Sequence, residues 1–265
     1  MHRRTLFTIV VFLNTLTSAQ SMSPQALYDR AMSAITGIGP TRDEAQGVEY
    51  FRQSAEVGYG SAQIALGYYY ETGTVVAKDV PRALDLYKKA AAPGDPLAAW
   101  LAGRLYYLGG FAPRDAGAAE KWLKISAGQN NAYGAYYLGR LMAERDFNKS
   151  PALYKIAADQ GLPQAQYYYG KALREGRGIA KDPSNAYVWL SIAADAGYTP
   201  AGADLADLST SGDLSLDQMS DAKAKAHDLE QIVVRPVTAR GCSGWDGEFD
   251  DLPAPPPPKL QGFCH

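Results

Sequence analysis

Three histidines, His2, His227 and His265, are the whole supply of imidazole in 265 residues, and no two are close enough to share a helical turn. General acid–base catalysis and zinc ligation both draw first on histidine, so the chain offers no cluster for either. Cys242, Cys264 and His265 are the nearest approach to a metal set, but the closely spaced cysteine pairs of structural zinc sites are absent. Asp250-Asp251 reads as a solvated pair rather than as two cooperating catalytic carboxylates. No glycine loop ends in Lys-Ser or Lys-Thr as a phosphate cradle does, and no cofactor is expected. With two cysteines in a chain that reads as exported, a Cys242–Cys264 disulfide is the expectation. Closing that short loop would stabilise the fold by ~3 kcal/mol.

The remaining candidates are surfaces, and a regular scaffold must hold them. Arg42-Asp43, Lys78-Asp79, Arg114-Asp115, Arg145-Asp146 and Lys181-Asp182 each precede, by one constant interval, a residue able to adopt a left-handed backbone: Gly58, Gly94, Asn130, Gly161 and Gly197. Such periodicity signals a solenoid, whose core is buried between neighbouring units and whose long surface serves binding. Within one unit, Asp79 suits a helix N-cap, Pro81 suits the first turn, and Ala83, Leu86, Tyr87 and Ala90 form one apolar stripe. Gly94 should stop that helix. A second helix follows over residues 96–108, with Ala98, Ala102, Gly103 and Tyr106 inward, and its small residues predict a close helix contact. Gly73, Gly109 and Gly176 then supply a turn, which also accounts for Gly176-Arg177-Gly178. The third unit is short between Gly139 and Asp146, and Ala206 replaces the second-helix glycine in the fifth.

These residues carry a resemblance. ALDLYKKAAAPGDPLAAWLAGRLYYLGG and ALYKIAADQGLPQAQYYYGKALREGRGIAKD are similar to the Sel-1-like repeat, a relative of the tetratricopeptide repeat. The resemblance covers residues 43–208 and implies an all-α, right-handed superhelical solenoid. The units expected are 43–78, 79–114, 115–145, 146–181 and 182–214, preceded by a truncated repeat helix over 20–42. A capping helix is expected over 215–234, followed by a proline-rich tail over 235–265.

Arg3 and Arg4, the apolar run over 5–16, and Thr17-Ser18-Ala19 make the three-part pattern of a secretory signal over residues 1–19. The chain has 26 Lys and Arg against 28 Asp and Glu, and loss of that segment makes it more acidic, so nucleic acid is not an expected partner. A periplasmic or secreted monomer without a membrane-spanning segment is expected.

Function is then read from the solenoid's faces. At least one tyrosine in each of the runs Tyr68-Tyr69-Tyr70, Tyr106-Tyr107, Tyr136-Tyr137 and Tyr167-Tyr168-Tyr169 falls on a packing position. Arg52, Lys88, Lys124 and Lys155 recur one step outside the first-helix stripe, either as a solvated face or as a basic ladder for an acidic partner. One position further on, the units read Gln53, Lys89, Ile125, Ile156 and Ile192, with Ala152 and Val188 one turn back. In tetratricopeptide proteins the first helices line the concave side, so the resemblance makes Ile125, Ile156, Val188 and Ile192 either an apolar groove for a partner or packing against a neighbouring helix. The expected role is a non-enzymatic scaffold for protein partners in signalling, envelope assembly or host interaction. The alternative implied by cysteine-rich relatives is cell-wall or β-lactam binding, from which this chain departs in having no cysteine in any repeat.

Overall fold

A computed structural model describes residues 22–37, 42–109 and 112–232. The signal pattern, the Cys242–Cys264 pair and the proline-rich tail lie outside these residues. Twelve α-helices run along the described chain, with no strand: α1 Pro24–Thr36, α2 Glu44–Glu56, α3 Gly60–Thr72, α4 Val80–Ala91, α5 Pro96–Leu108, α6 Ala116–Gly128, α7 Ala132–Arg145, α8 Pro151–Ala158, α9 Pro163–Glu175, α10 Pro183–Asp195, α11 Thr199–Thr210 and α12 Leu216–Ile232. Up to α11 each helix packs on the one before it, giving the all-helical solenoid.

Four of the five aspartates of the repeated dipeptides start even-numbered helices. Asp43, Asp79, Asp115 and Asp182 accept the backbone amides of Gln46, Arg82, Ala118 and Asn185 at 2.8–3.0 Å. Each such cap is worth about 1 kcal/mol. The amides of the same four aspartates donate to the carbonyls of Ala34, Tyr70, Tyr106 and Leu173, so one residue both opens a helix and ties it to the preceding one. Gly58, Gly94, Gly161 and Gly197 all have positive φ, and Asn130 at +59° is the one non-glycine residue that does so among the described residues. A side chain with Cβ resists this conformation, and asparagine is the substitute that tolerates it best.

The short third interval is absorbed locally. Helix α7 continues to Arg145 through the stretch that forms a glycine turn elsewhere, and Asp146 caps a 3-10 turn, Phe147–Lys149, by accepting Asn148 N at 3.1 Å. Helix α8 then begins at Pro151 and is only eight residues long.

Glycines set the helix spacing. A Cβ on Gly67 would stand 2.5 Å from Tyr87 Cε1, one on Gly103 2.8 Å from Leu123 Cγ, and one on Gly139 2.8 Å from Tyr154 Cε1. At Gly170 the nearest atom is Leu190 Cγ at 3.1 Å. Each odd-numbered helix from α3 to α9 thus offers a socket to the large residue of the next helix, and Tyr87, Leu123, Tyr154 and Leu190 are all fully buried. Burying a side chain of this size contributes about 1.5–3 kcal/mol. Ser54 and Ser126 add a repeated tie, their hydroxyls donating to the carbonyls of Pro24 and Pro96 at 2.7 Å.

Successive units also touch through the odd-numbered helices, α5 with α7 and α9 with α11. Helices α3, α5, α7 and α9 are largely buried, whereas α11 and the even-numbered helices turn a face outward. The last helix breaks the order, because α12 packs against α10 rather than extending the stack from α11.

Candidate functional site

The outward face of the even-numbered helices changes character along the stack. Helices α2 and α4 present Glu49, Gln53, Asp85, Lys88 and Lys89, with Asp85 and Lys89 paired at 2.7 Å. Helix α6 adds Lys121, Lys124 and Ile125, the last 36% exposed. On α8, Ala152 is exposed, while Lys155 and Ile156 are half-buried.

On α10 the same register is closed. Val188 is 1% exposed and Ile192 4%, so neither belongs to an open groove. Their burial accompanies α12, which lies on α10 with Ala222 and Ala226 buried and Met219 and Leu229 partly so. The apolar groove expected over the C-terminal half is therefore open only at Ile125 and partly at Ile156, and its α10 part is buried on the helix against which α12 packs.

The lysine row is likewise uneven. Lys88 is exposed on α4, whereas Lys124 pairs with Glu120 at 2.6 Å and Lys155 with Asp159 at 2.5 Å. The hydrogen bond from Lys124, with that from Arg145, holds the Glu120 carboxyl below its ordinary pKa. Lys155 also lies 5.5 Å from the Trp189 ring and 6.0 Å from that of Tyr169, which draws it off the open face. Exposed i, i+4 pairs of this kind contribute only about 0.3–0.5 kcal/mol. They mostly fix the side chains and reduce the basic character of the face.

The tyrosine runs are principally structural. Tyr69, Tyr70, Tyr107, Tyr136, Tyr137 and Tyr169 are buried, and Tyr168 stacks on Tyr154 at 5.3 Å.

Sequence reasoning missed a strongly buried ionic cluster. Glu71 of α3 and Arg104 of α5 form an ion pair with both side chains under 8% exposed, and the Tyr87 hydroxyl donates to Glu71 Oε2 at 2.9 Å. The Arg104 guanidinium also stands 5.8 Å from the Trp100 ring. Burial pulls the Arg104 pKa down, but Glu71 and the neighbouring tyrosines more than offset it and the net shift is upward. Burial, and then the Glu71 carboxylate, raise the Tyr87 pKa well above its ordinary value. The cluster locks three helices together and is closed to ligands. A lone arginine inside the otherwise apolar segment PLAAWLAGRLYYL was the available signal.

Among the described residues no three histidine, cysteine, aspartate or glutamate side chains gather as a metal site requires, and no helix is long and apolar enough to cross a membrane.

Relatives share this architecture. An uncharacterized protein of Neisseria meningitidis serogroup B is 35% identical over 188 residues, covering 70% of this chain and 39% of that protein. The alginate biosynthesis protein AlgK of Pseudomonas syringae pv. tomato is 30% identical over 173 residues, covering 62% of this chain and 34% of its own. These matches span about two fifths or less of the curated relatives. The crystal structure of a Sel1 repeat protein from Oxalobacter formigenes superposes with a TM-score of 0.66 at 24% identity, over 82% of this chain and 92% of that one. The Sel1 repeat model matches residues 24–59, 60–95, 96–131, 130–162 and 163–198. Each match joins an odd-numbered helix to the even-numbered helix that follows it, and the last ends after α10. Sel1 repeats as a class mediate protein–protein interaction, and with five of them in register this chain belongs to the Sel1 repeat family.

Proposed function

We propose that this protein is a non-enzymatic scaffold that binds a protein partner across the open face of α4, α6 and α8. The supporting observation is the exposure of Ile125 on α6 together with that of Lys88 on α4 and Lys124 on α6, on the part of the even-numbered-helix face away from α12. An apolar side chain of this size costs solvation when left open, and basic neighbours suit a partner with carboxylates around an apolar contact. The naming of one relative for alginate biosynthesis is compatible with a role beside an envelope assembly, and it specifies no partner for this chain.

The proposed place of action is the periplasm or the extracellular space. It rests on the signal pattern over residues 1–19, and N-terminal sequencing of protein from the host should begin at or near Gln20. The Cys242–Cys264 bridge belongs to the same proposal, and intact mass under non-reducing conditions should show no alkylatable thiol.

The binding face is tested by placing a photo-cross-linking residue at Ile125 or Lys88 of the full chain in the host, with Gly202 on α11 as comparison. A shared adduct from the first two positions and none from Gly202 is expected. Adducts of equal yield from all three, or from Gly202 only, would rule out the α4–α8 face.

A further inference from the structure

The placement of α12 is unlike that of any helix before it. Helices α4, α6, α8 and α10 each enter the socket of the odd-numbered helix before them. The equivalent place on α11 is open, with Gly202, Ala203 and Ala206 exposed. A helix whose role was to close the stack would lie there. Helix α12 instead packs on α10, the helix whose Val188 and Ile192 are buried in the register that is open at Ile125 and partly open at Ile156. Its contact is narrow. Met219, Ala222, Ala226 and Leu229 face the core, while Leu216 and Ile232, at the two ends, remain 81% and 73% exposed.

We propose that the outward face of α10 is a helix-binding site, that α12 is its internal ligand, and that a partner helix enters by displacing α12. The inference rests on the scaffold reading and adds the class of ligand and its regulation. The ligand is an amphipathic helix with apolar residues at i, i+3, i+7 and i+10, the two central ones small, as Met219, Ala222, Ala226 and Leu229 are in α12. Two buried alanines at the centre of α12 allow its backbone to approach α10 closely. The site is continuous with the α6–α8 face, so a partner held by Ile125 and Lys88 would be positioned to compete for α10. A tethered helix competes at an effective concentration on the order of millimolar, which keeps the site shut to weak or incidental helices.

The test uses the full chain, its Ala226→Glu variant, and a labelled synthetic peptide of residues 215–232. In Ala226→Glu, hydrogen exchange should show α12 amides losing protection by about ten-fold or more while α10 and α11 keep theirs. The peptide should bind this variant about ten-fold more tightly than the parent, whose site is occupied. Because a buried glutamate can unfold its surroundings, Met219→Ser provides a milder release read on the same amides. Loss of α10 and α11 protection together with α12 in both variants would show a single structural unit and overturn the proposal. So would failure of the peptide to bind a chain whose α12 is released. These readouts concern α10 only, so they succeed or fail independently of cross-linking at Ile125 and Lys88.

Discussion

The α3–α4 pair and the α11–α12 pair are each an odd-numbered helix followed by an even-numbered one, yet only the first closes on itself. In α3, Gly67 lets the Tyr87 ring of α4 approach to where a Cβ would stand, and Glu71 on the same helix anchors both Tyr87 and Arg104. In α11 the socket position is Ala206, exposed, and α12 docks elsewhere. Period alone therefore does not extend a solenoid. The next helix joins where the preceding one offers a socket and the incoming one a side chain to fill it.

The largest effect should separate the two ends by their ion pairs. Glu71→Ala leaves Arg104 buried without its carboxylate and should cost about 3–5 kcal/mol in urea unfolding. Asp207→Ala, which removes the exposed 2.6 Å partner of Arg174 on α11, should cost about 1 kcal/mol or less. Equal losses would break the comparison.

Next come the isoleucines of one register. Ile192→Ala under α12 should cost about 2–5 kcal/mol through lost burial and the cavity left behind. Ile125→Ala should stay within about 0.5 kcal/mol of the parent. A similar shift in thermal midpoint for both would mean that α12 does not distinguish the two sites.

The sockets give a smaller contrast. Gly103→Leu forces a side chain against Leu123, including its backbone nitrogen at 3.1 Å from the added Cβ, and should cost about 1–3 kcal/mol or more. Ala206→Leu meets solvent and should change stability by about 0.5 kcal/mol at most. Unchanged stability of Gly103→Leu would show that the register of α5 on α6 is wrong.

The smallest effect near neutral pH, and one confined to alkali, distinguishes the ends by their phenols. Burial, followed by the charges of Tyr59 and Asp29, pushes Tyr28 up to about 12, and burial with Glu44 does the same for Tyr69. A folded-state pKa raised above the unfolded value of 10.0 means that the native chain holds the proton longer. The contribution is complete below pH 10 and is lost as pH rises toward 12. Exchange protection in α1–α3 should fall over that window as tyrosinate absorbance appears, whereas α12, which has no tyrosine, should lose no protection through phenol ionisation of its own. Tyrosinate absorbance complete near pH 10 with the fold intact would contradict this.

The sequence by itself determined the helices and their ends. Asp79 could be read as a cap and Asn130 as a left-handed stop because each depends on a few adjacent residues and on backbone geometry that any environment shares. The small residue at Gly103 likewise announced a close contact before the neighbour was known, since glycine loses stability in a helix unless packing recovers it. Only the tertiary structure decided that Glu71 meets Arg104 across α4, that Ile125 faces water while Ile192 is core, and that α12 lies on α10 rather than α11. The two isoleucines share a residue type and a position in the repeat. What separates them is a helix arriving from outside the repeat, and burial is a property of what surrounds a side chain rather than of the side chain itself.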